Sequence, residues 1–175
     1  MNENELQAAF ARVRGGDREA FDEIYRGLSK PVFTVILRIV RHRECAEDVT
    51  QDIFVKLFVS PPDASVRNLR AWIFRMARNL AIDALRAQHT AQSEEALSEQ
   101  AATYDEAGQT NMRIDIEQAM SRLPRTEREI VTLHVNGGLG FAEIAAVEGM
   151  SLPATYRAYR RALNRLRENL GGHTI

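Results

Sequence analysis

The sequence predicts an all-α protein of two small helical domains joined by a flexible acidic linker. Apolar residues recur at intervals of three and four positions along most of the chain, and no segment shows the alternation of a half-buried strand. Charge is uneven as well, because residues 88–111 hold five Asp/Glu and no Lys/Arg. The flanking segments each carry two more basic than acidic residues. We therefore expect one domain at 1–87, the linker at 88–111 and the other domain at 112–175.

Composition narrows the class of protein. The chain has 175 residues, of which 45% are hydrophobic and 27% charged, and its net charge is −1, all ordinary for a globular protein. No apolar run reaches the length of a membrane span and the N-terminus is acidic, so we expect a cytoplasmic protein without a membrane span of its own. The single cysteine, Cys45, excludes an internal disulfide, and the four histidines are scattered. We expect no metal and no cofactor.

Capping and breaking residues divide the first domain into helices. Asp17 follows a glycine pair and is suited to cap a helix, and Pro31 is suited to the first turn of another. Pro61 and Pro62 end the helix before them. The predicted helices contain residues 6–13, 21–28, 32–40, 44–58 and 72–86.

The outward face of the 72–86 helix has an unusual composition. It combines arginines and Asn79 with Trp72 and Ile82, opposite an apolar face. Guanidinium groups hold phosphates, while flat and amide side chains contact bases, so one interpretation is a nucleic-acid surface. The alternative is an amphipathic helix with a few exposed apolar groups, and this stretch alone does not separate the two. The inward residues are Leu69, Ile73, Met76, Ala77, Leu80 and Ala84, and the outward arginines are Arg75, Arg78 and Arg86.

The second domain has the pattern of a helix-turn-helix. A short helix is followed by a turn at Gly149 and by a longer helix that Ser151 is suited to cap. Between residues 151 and 170, five arginines accompany one acidic residue, which suits entry into a DNA groove. The predicted helices are 114–123, 125–135, 141–147 and 151–170. In the last helix we expect Leu152, Thr155, Tyr159, Ala162, Leu163 and Leu166 to be buried, and Arg157, Arg160, Arg161 and Asn164 to be exposed.

The 44–58 helix presents a polar surface that includes Asp48, Gln51 and Asp52. By itself the pattern fits an ordinary charged surface helix. An acidic patch beside a DNA-binding surface would repel phosphate, so a protein partner is the better use for it. Enzyme signatures are absent, since the glycine-rich stretch at 137–140 lacks the lysine and the preceding strand of a phosphate-binding loop. No catalytic Ser/His/Asp arrangement stands out either, so we expect no enzymatic activity.

Taken in order, these motifs resemble an extracytoplasmic-function (ECF) sigma factor of bacterial RNA polymerase over nearly the whole chain. Residues 16–25 resemble the opening helix of that family, and residues 46–54 its polymerase-binding helix. Residues 72–86 resemble the helix that melts the minus-10 element. The motifs that resemble the domain reading the minus-35 element are Leu123-Pro124, Glu143-Ile144-Ala145 and Arg161-Ala162.

The resemblance implies a sigma factor that binds core RNA polymerase and directs promoter recognition and melting, under the control of an anti-sigma factor. Asn79 matches the family asparagine that reads a base of the non-template strand, and Trp72 either contacts DNA or packs. The residues implied to bind core polymerase are Asp48, Gln51, Asp52 and Phe54. Those implied to bind minus-10 DNA are Trp72, Phe74, Arg75, Arg78 and Asn79, and those implied to bind minus-35 DNA are Tyr156, Arg157, Arg160, Arg161 and Asn164.

The chain also departs from the family pattern. Residues 153–157 read Pro-Ala-Thr-Tyr-Arg where the family usually has a Gly-Thr-Val-Arg-Ser-like run, so Tyr156 occupies a common arginine position. The loop at 59–70, implied to add base contacts, is shorter than usual. As a further hypothesis, the acidic linker runs through the polymerase cleft. Two other functions fit parts of the sequence: a helix-turn-helix regulator that acts on duplex DNA without polymerase, and a sigma-like decoy that binds a regulator and never DNA.

Overall fold

The computed structural model describes residues 1–92 and 111–171, and within them all regular secondary structure is α-helical. The chain divides into two compact units, Met1–Ser98 and Glu99–Ile175. The predicted all-α class with two helical units is confirmed. Most of the predicted acidic linker, residues 93–110, lies outside the described residues, and so does its path. The described helices are α1 (Glu3–Arg14), α2 (Arg18–Val40), α3 (Arg43–Val59), α4 (Leu69–Gln92), α5 (Asn111–Ser121), α6 (Arg125–Val135), α7 (Phe141–Glu148) and α8 (Leu152–Gly171).

Asp17 caps α2, as its sequence position predicts. Its carboxylate accepts hydrogen bonds from the backbone amides of Glu19 and Ala20 at 3.0 and 3.3 Å. The Arg12 guanidinium bonds the same carboxylate and, together with these amides, holds the pKa of Asp17 below its usual range. The turn between α1 and α2 is therefore defined by one acidic side chain with partners on both sides.

The prediction of separate helices at 21–28 and 32–40 is wrong, because α2 is continuous and contains Pro31. Proline lacks the N–H that would bond the carbonyl four residues earlier, at Gly27. The buried stripe nevertheless continues across the proline, and packing against α1, α3 and α4 keeps both halves in one helix. The stripe consists of Ala20, Ile24, Leu28, Val32, Val35, Ile36 and Ile39.

The core of the N-terminal unit lies between α2 and the helices packed around it. Phe10, Ile24, Ile53, Ile73 and Phe74 are all fully buried there. Burying an aliphatic or aromatic side chain of this size contributes about 1.5–3 kcal/mol. Helix α4 is longer than predicted, since it continues past residue 86 to residue 92.

The C-terminal unit packs α5, α6 and α7 against α8. Between α7 and α8, Gly149 has φ 67° and ψ 33°, a left-handed conformation that glycine adopts without strain. Ser151 Oγ then accepts a hydrogen bond from the Ala154 amide at 3.3 Å. The predicted helix-turn-helix is present. None of the helices within 1–92 and 111–171 is long and apolar enough to cross a membrane.

Candidate functional site

The outward face of α4 carries the predicted mixture of side chains. Trp72 is 37% exposed, Arg75 and Asn79 are exposed, and Arg78 is half-buried beside them. Spacings of three and four residues place side chains on one face of a helix. The structure therefore brings an indole, an amide and guanidinium groups together on one surface, the α4 stripe, which consists of Trp72, Arg75, Asn79, Ile82 and Arg86.

Phe74 does not belong to this surface. Its side chain is 0% exposed and lies in the core of the N-terminal unit, where Ile73 and Ala77 are also fully buried. Two residues along an α-helix turn the side chain by about 200°, so Phe74 faces away from Trp72. The expectation that Phe74 contacts minus-10 DNA is corrected, because no part of its side chain is accessible in this structure.

An apolar groove of about 790 Å³ lies between α2 and α3. Aromatic rings form its walls: Tyr25 packs edge-on against Phe54 with the ring centroids 4.9 Å apart, and Phe21 packs against Phe58 at 5.1 Å. Tyr25 and Phe58 are nevertheless half exposed, as is Val55. Contiguous exposed apolar surface of this kind marks an interaction site. We call this feature the α2–α3 groove.

The predicted polymerase-binding residues divide into two groups around this groove. Asp48, Gln51 and Asp52 are exposed on α3, and Gln51 lines the groove. Phe54 is only 4% exposed, so it offers little contact area and instead supports the ring of Tyr25. Phe54 nevertheless lines the groove, so the expectation that it belongs to the polymerase-binding surface stays a prediction.

Cys45 is the only cysteine of the chain, and it lies partly buried on α3. Burial raises the pKa of the Cys45 thiol, and the Asp48 carboxylate raises it further, which makes this cysteine a poor nucleophile. In the part of the chain that the structure describes, no group of His, Cys, Asp and Glu is arranged to hold a metal ion.

Helix α8 presents the predicted minus-35 residues outward: Tyr156, Arg157, Arg160, Arg161 and Asn164 are all exposed. The buried face agrees with the prediction only in part, since Thr155 and Ala162 are buried but Tyr159, Leu163 and Leu166 are half-buried. Leu152 is 49% exposed, because it lies at the first residue of the helix and about 60° from the centre of the buried stripe. Ala158, which the prediction omitted, is 1% exposed.

Two arginines of α8 share one buried carboxylate. Glu127 of α6 has a side chain only 7% exposed, and it accepts hydrogen bonds from Arg161 Nε at 3.2 Å and Arg165 Nη1 at 2.8 Å. Both arginine side chains remain about half exposed, so each keeps an outward side. Sequence reasoning missed Glu127. Its spacing of three residues before the buried Ile130 placed it on the inward face of α6 and was the available signal.

An aromatic cluster joins α6, α7 and α8 beside these arginines. His134 stacks on Phe141 at 4.7 Å, and its Nδ1 lies 2.9 Å from the carbonyl oxygen of Leu139. Tyr159 packs edge-on against both rings, and Tyr156 packs against Phe141 at 5.3 Å. His134 is therefore a packing residue of this cluster, and the exposed ring of Tyr156 is supported by Phe141.

Comparison with known proteins identifies the class of protein. A family model for Sigma-70 region 2 matches residues 24–90, and one for Sigma-70 region 4 matches residues 113–166. The fold and these two matches together define a protein of the sigma-70 class. Among curated relatives, the ECF RNA polymerase sigma factor SigK of Mycobacterium tuberculosis (strain ATCC 25618 / H37Rv) is 26% identical and covers 95% of this chain and 94% of its own. The ECF RNA polymerase sigma factor RpoE of Cereibacter sphaeroides is 29% identical and covers 88% of each chain. The chain belongs to the ECF sigma factor family.

Two solved structures share the fold. The sigma factor RpoE of Bartonella quintana, solved with the anti-sigma factor NepR, has a TM-score of 0.72 at 22% identity and covers 88% of this chain and 98% of its own. CnrH, solved with the cytosolic domain of CnrY, has a TM-score of 0.69 at 22% identity and covers 97% and 99%. At this level of identity the likeness concerns the arrangement of helices alone.

Proposed function

We propose that this sigma factor binds core RNA polymerase through α3 and the α2–α3 groove, melts the minus-10 element with the α4 stripe and reads the minus-35 element with α8. The observation that supports it best is the α4 stripe. An exposed amide and an indole lie among guanidinium groups on one rigid helix, and this combination suits a single strand whose bases are unstacked.

The free energy of DNA melting is consistent with these roles for the α4 stripe. Extracting a base from a duplex costs a few kcal/mol, and stacking on an aromatic side chain returns about 1–3 kcal/mol per base. Trp72 supplies such a ring, and Asn79, two helical turns further on, supplies a donor and an acceptor for a base edge. In this proposal Arg75 and Arg78 hold the phosphates of the same strand.

The minus-10 proposal predicts that Asn79→Ala reduces open-complex formation about tenfold on a cognate promoter, because one base loses its hydrogen-bonding partner. The measurement is permanganate reactivity of minus-10 thymines with reconstituted core polymerase, on promoters selected from a randomised library.

Asn4→Ala is the matched control, since Asn4 is an exposed asparagine on α1. It is expected to leave promoter opening unchanged. Unaltered opening by Asn79→Ala, combined with loss of duplex binding by Arg161→Ala, would favour a helix-turn-helix regulator that needs no polymerase. A wild-type protein that supports no core-dependent transcription on any promoter would favour the sigma-like decoy.

The groove suits a helical partner, because an apolar groove receives the apolar face of an amphipathic helix. Elsewhere on α3, the exposed carboxylates of Asp48 and Asp52 suit basic residues of the same partner. We assign this surface to core polymerase because the family model for region 2 covers α3 and most of α2, the two helices that form it.

Charge reversal tests the assignment. The variant Asp48→Lys/Asp52→Lys is expected to weaken binding to core polymerase about tenfold or more, because like charges then meet across the interface. Affinity is measured by fluorescence anisotropy of labelled protein titrated with core polymerase. Glu168→Lys, which reverses an exposed charge in the C-terminal unit, is the control and should retain affinity. Equal affinities of the wild-type protein and the double variant would exclude this surface.

An anti-sigma factor is the other partner we propose. The structural neighbours RpoE and CnrH were solved with the anti-sigma factor NepR and with the cytosolic domain of CnrY, respectively. This chain shares their fold, so a regulator that covers its polymerase-binding or DNA-binding surfaces would keep it inactive.

A further inference from the structure

The turn that precedes α4, residues 61–68, is held by side chains of α1 that lie far from it in sequence. Gln7 Nε2 donates to the carbonyl oxygen of Val66 at 2.9 Å, and Arg14 Nη1 donates to that of Pro62 at 2.8 Å. The Glu3 carboxylate accepts from the backbone amide of Leu69 at 2.7 Å, and it also accepts from the next amide at 3.0 Å.

These three side chains belong to one face of α1. Positions 3, 7 and 14 lie within about 40° of one another around a helix of 3.6 residues per turn. The same face carries Phe10, which is fully buried. One stripe of α1 therefore combines a packing residue with three polar residues. The polar side chains form hydrogen bonds with the turn and with the start of α4.

The bonds from Glu3 complete the N-terminus of α4. The first amides of a helix have no partner within it, and a carboxylate there is favoured by the helix dipole. Glu3 satisfies the amides of Leu69 and Arg70, and Asn68 Oδ1 accepts from the amide of Ala71 at 2.9 Å. The capping group for the first turn of α4 thus comes largely from another helix.

The outward side of the turn is polar and adjoins the α4 stripe. Asp63, Ser65 and Arg67 are exposed, and Trp72 follows one helical turn into α4. Within the turn, Asp63 Oδ1 accepts from the Ser65 amide at 2.8 Å, and the Asp63 carbonyl accepts from the Val66 amide at 3.1 Å. The carbonyl groups of Pro62 and Val66 are hydrogen-bonded to α1. These bonds fix the backbone of the turn and therefore the direction of the exposed side chains.

We propose that α1 is a positioning element for minus-10 recognition, in which Glu3, Gln7 and Arg14 set the conformation of the turn and so the base preference at the upstream end of the α4 stripe. This inference rests on the proposed function. Helix α1 precedes residue 24, where the family match begins, so the resemblance itself assigns it no such task.

The test measures selectivity rather than total activity. Core polymerase reconstituted with each variant transcribes a promoter library randomised across the minus-10 element, and sequencing gives the relative yield for each base at each position. Glu3→Gln and Gln7→Ala are each expected to reduce the preference for the best base over the second by about fivefold at one or more positions, since each removes a bond of about 1 kcal/mol that orients the turn.

Glu5→Gln is the matched control, because Glu5 is an exposed acid of the same helix whose carboxylate bonds the Asn2 amide and not the turn. It should leave the preference profile unchanged. Circular dichroism melting of all variants reports any loss of stability separately. A profile that keeps its shape while total yield falls with the melting temperature would overturn the inference and reduce α1 to a packing helix. A wild-type protein that transcribes without any minus-10 preference would overturn the proposed function as well.

Discussion

Replacing Phe74 by alanine is expected to lower the free energy of unfolding of the N-terminal unit by about 3–5 kcal/mol, the range for deleting a fully buried aromatic ring. The ring lies in the core beside Ile73, and neither residue is exposed. The measurement is urea denaturation followed by the fluorescence of Trp72, the only tryptophan of the chain and a near neighbour of the mutated position.

Phe58→Ala is the control, since Phe58 belongs to the same unit but is 47% exposed. Its expected cost is about 1 kcal/mol or less. Phe74→Leu, which keeps most of the buried volume, should retain minus-10 melting on a cognate promoter. Normal stability of Phe74→Ala together with lost melting would restore the original expectation that the ring contacts DNA.

The double variant Arg161→Ala/Arg165→Ala is expected to lower the free energy of unfolding of the C-terminal unit by about 2–4 kcal/mol, because it leaves the Glu127 carboxylate buried without a partner. Hydrogen exchange of the α6 and α8 amides measures this loss within the unit concerned. Adding Glu127→Gln to the double variant should recover most of the stability, since the uncompensated charge disappears, but none of the affinity for minus-35 duplex.

Arg157→Ala/Arg160→Ala provides the comparison within the same helix. Both residues are exposed, so the expected change in stability is within about 0.5 kcal/mol per site, whereas duplex affinity falls. The dependence of that affinity on salt should weaken by about 0.9 in logarithmic slope for each phosphate contact removed. If all the arginine variants lost the same stability, Glu127 would not be the reason for the difference.

Local rules account for most of the elements. Periodicity located the described helices, although it divided α2 into two, and the caps at Asp17 and Ser151 were recognisable because the capping residue lies within a few positions of the amides it satisfies. The same locality explains why the α4 stripe and the exposed face of α8 were predicted: residues three and four apart share a helix face wherever the helix packs.

The errors have a common physical origin in contacts between residues distant in sequence. Pro31 was expected to begin a helix, yet packing along the whole of α2 outweighs one missing hydrogen bond. Phe74 was expected at a binding surface, and whether an aromatic ring is buried depends on which helix covers it. The sequence also does not show which polar surface residues will form hydrogen bonds with a neighbouring helix.

The sequence by itself determined the helical class, the separation of charge along the chain and most of the residues that each helix presents outward, because these follow from spacing and composition. Only the tertiary structure decided which outward residues are held in place. The pairing of Glu127 with two arginines of α8 and the bonds from α1 to the turn before α4 both join segments that are remote in sequence. No local pattern specifies such partners, since they meet only when the helices pack.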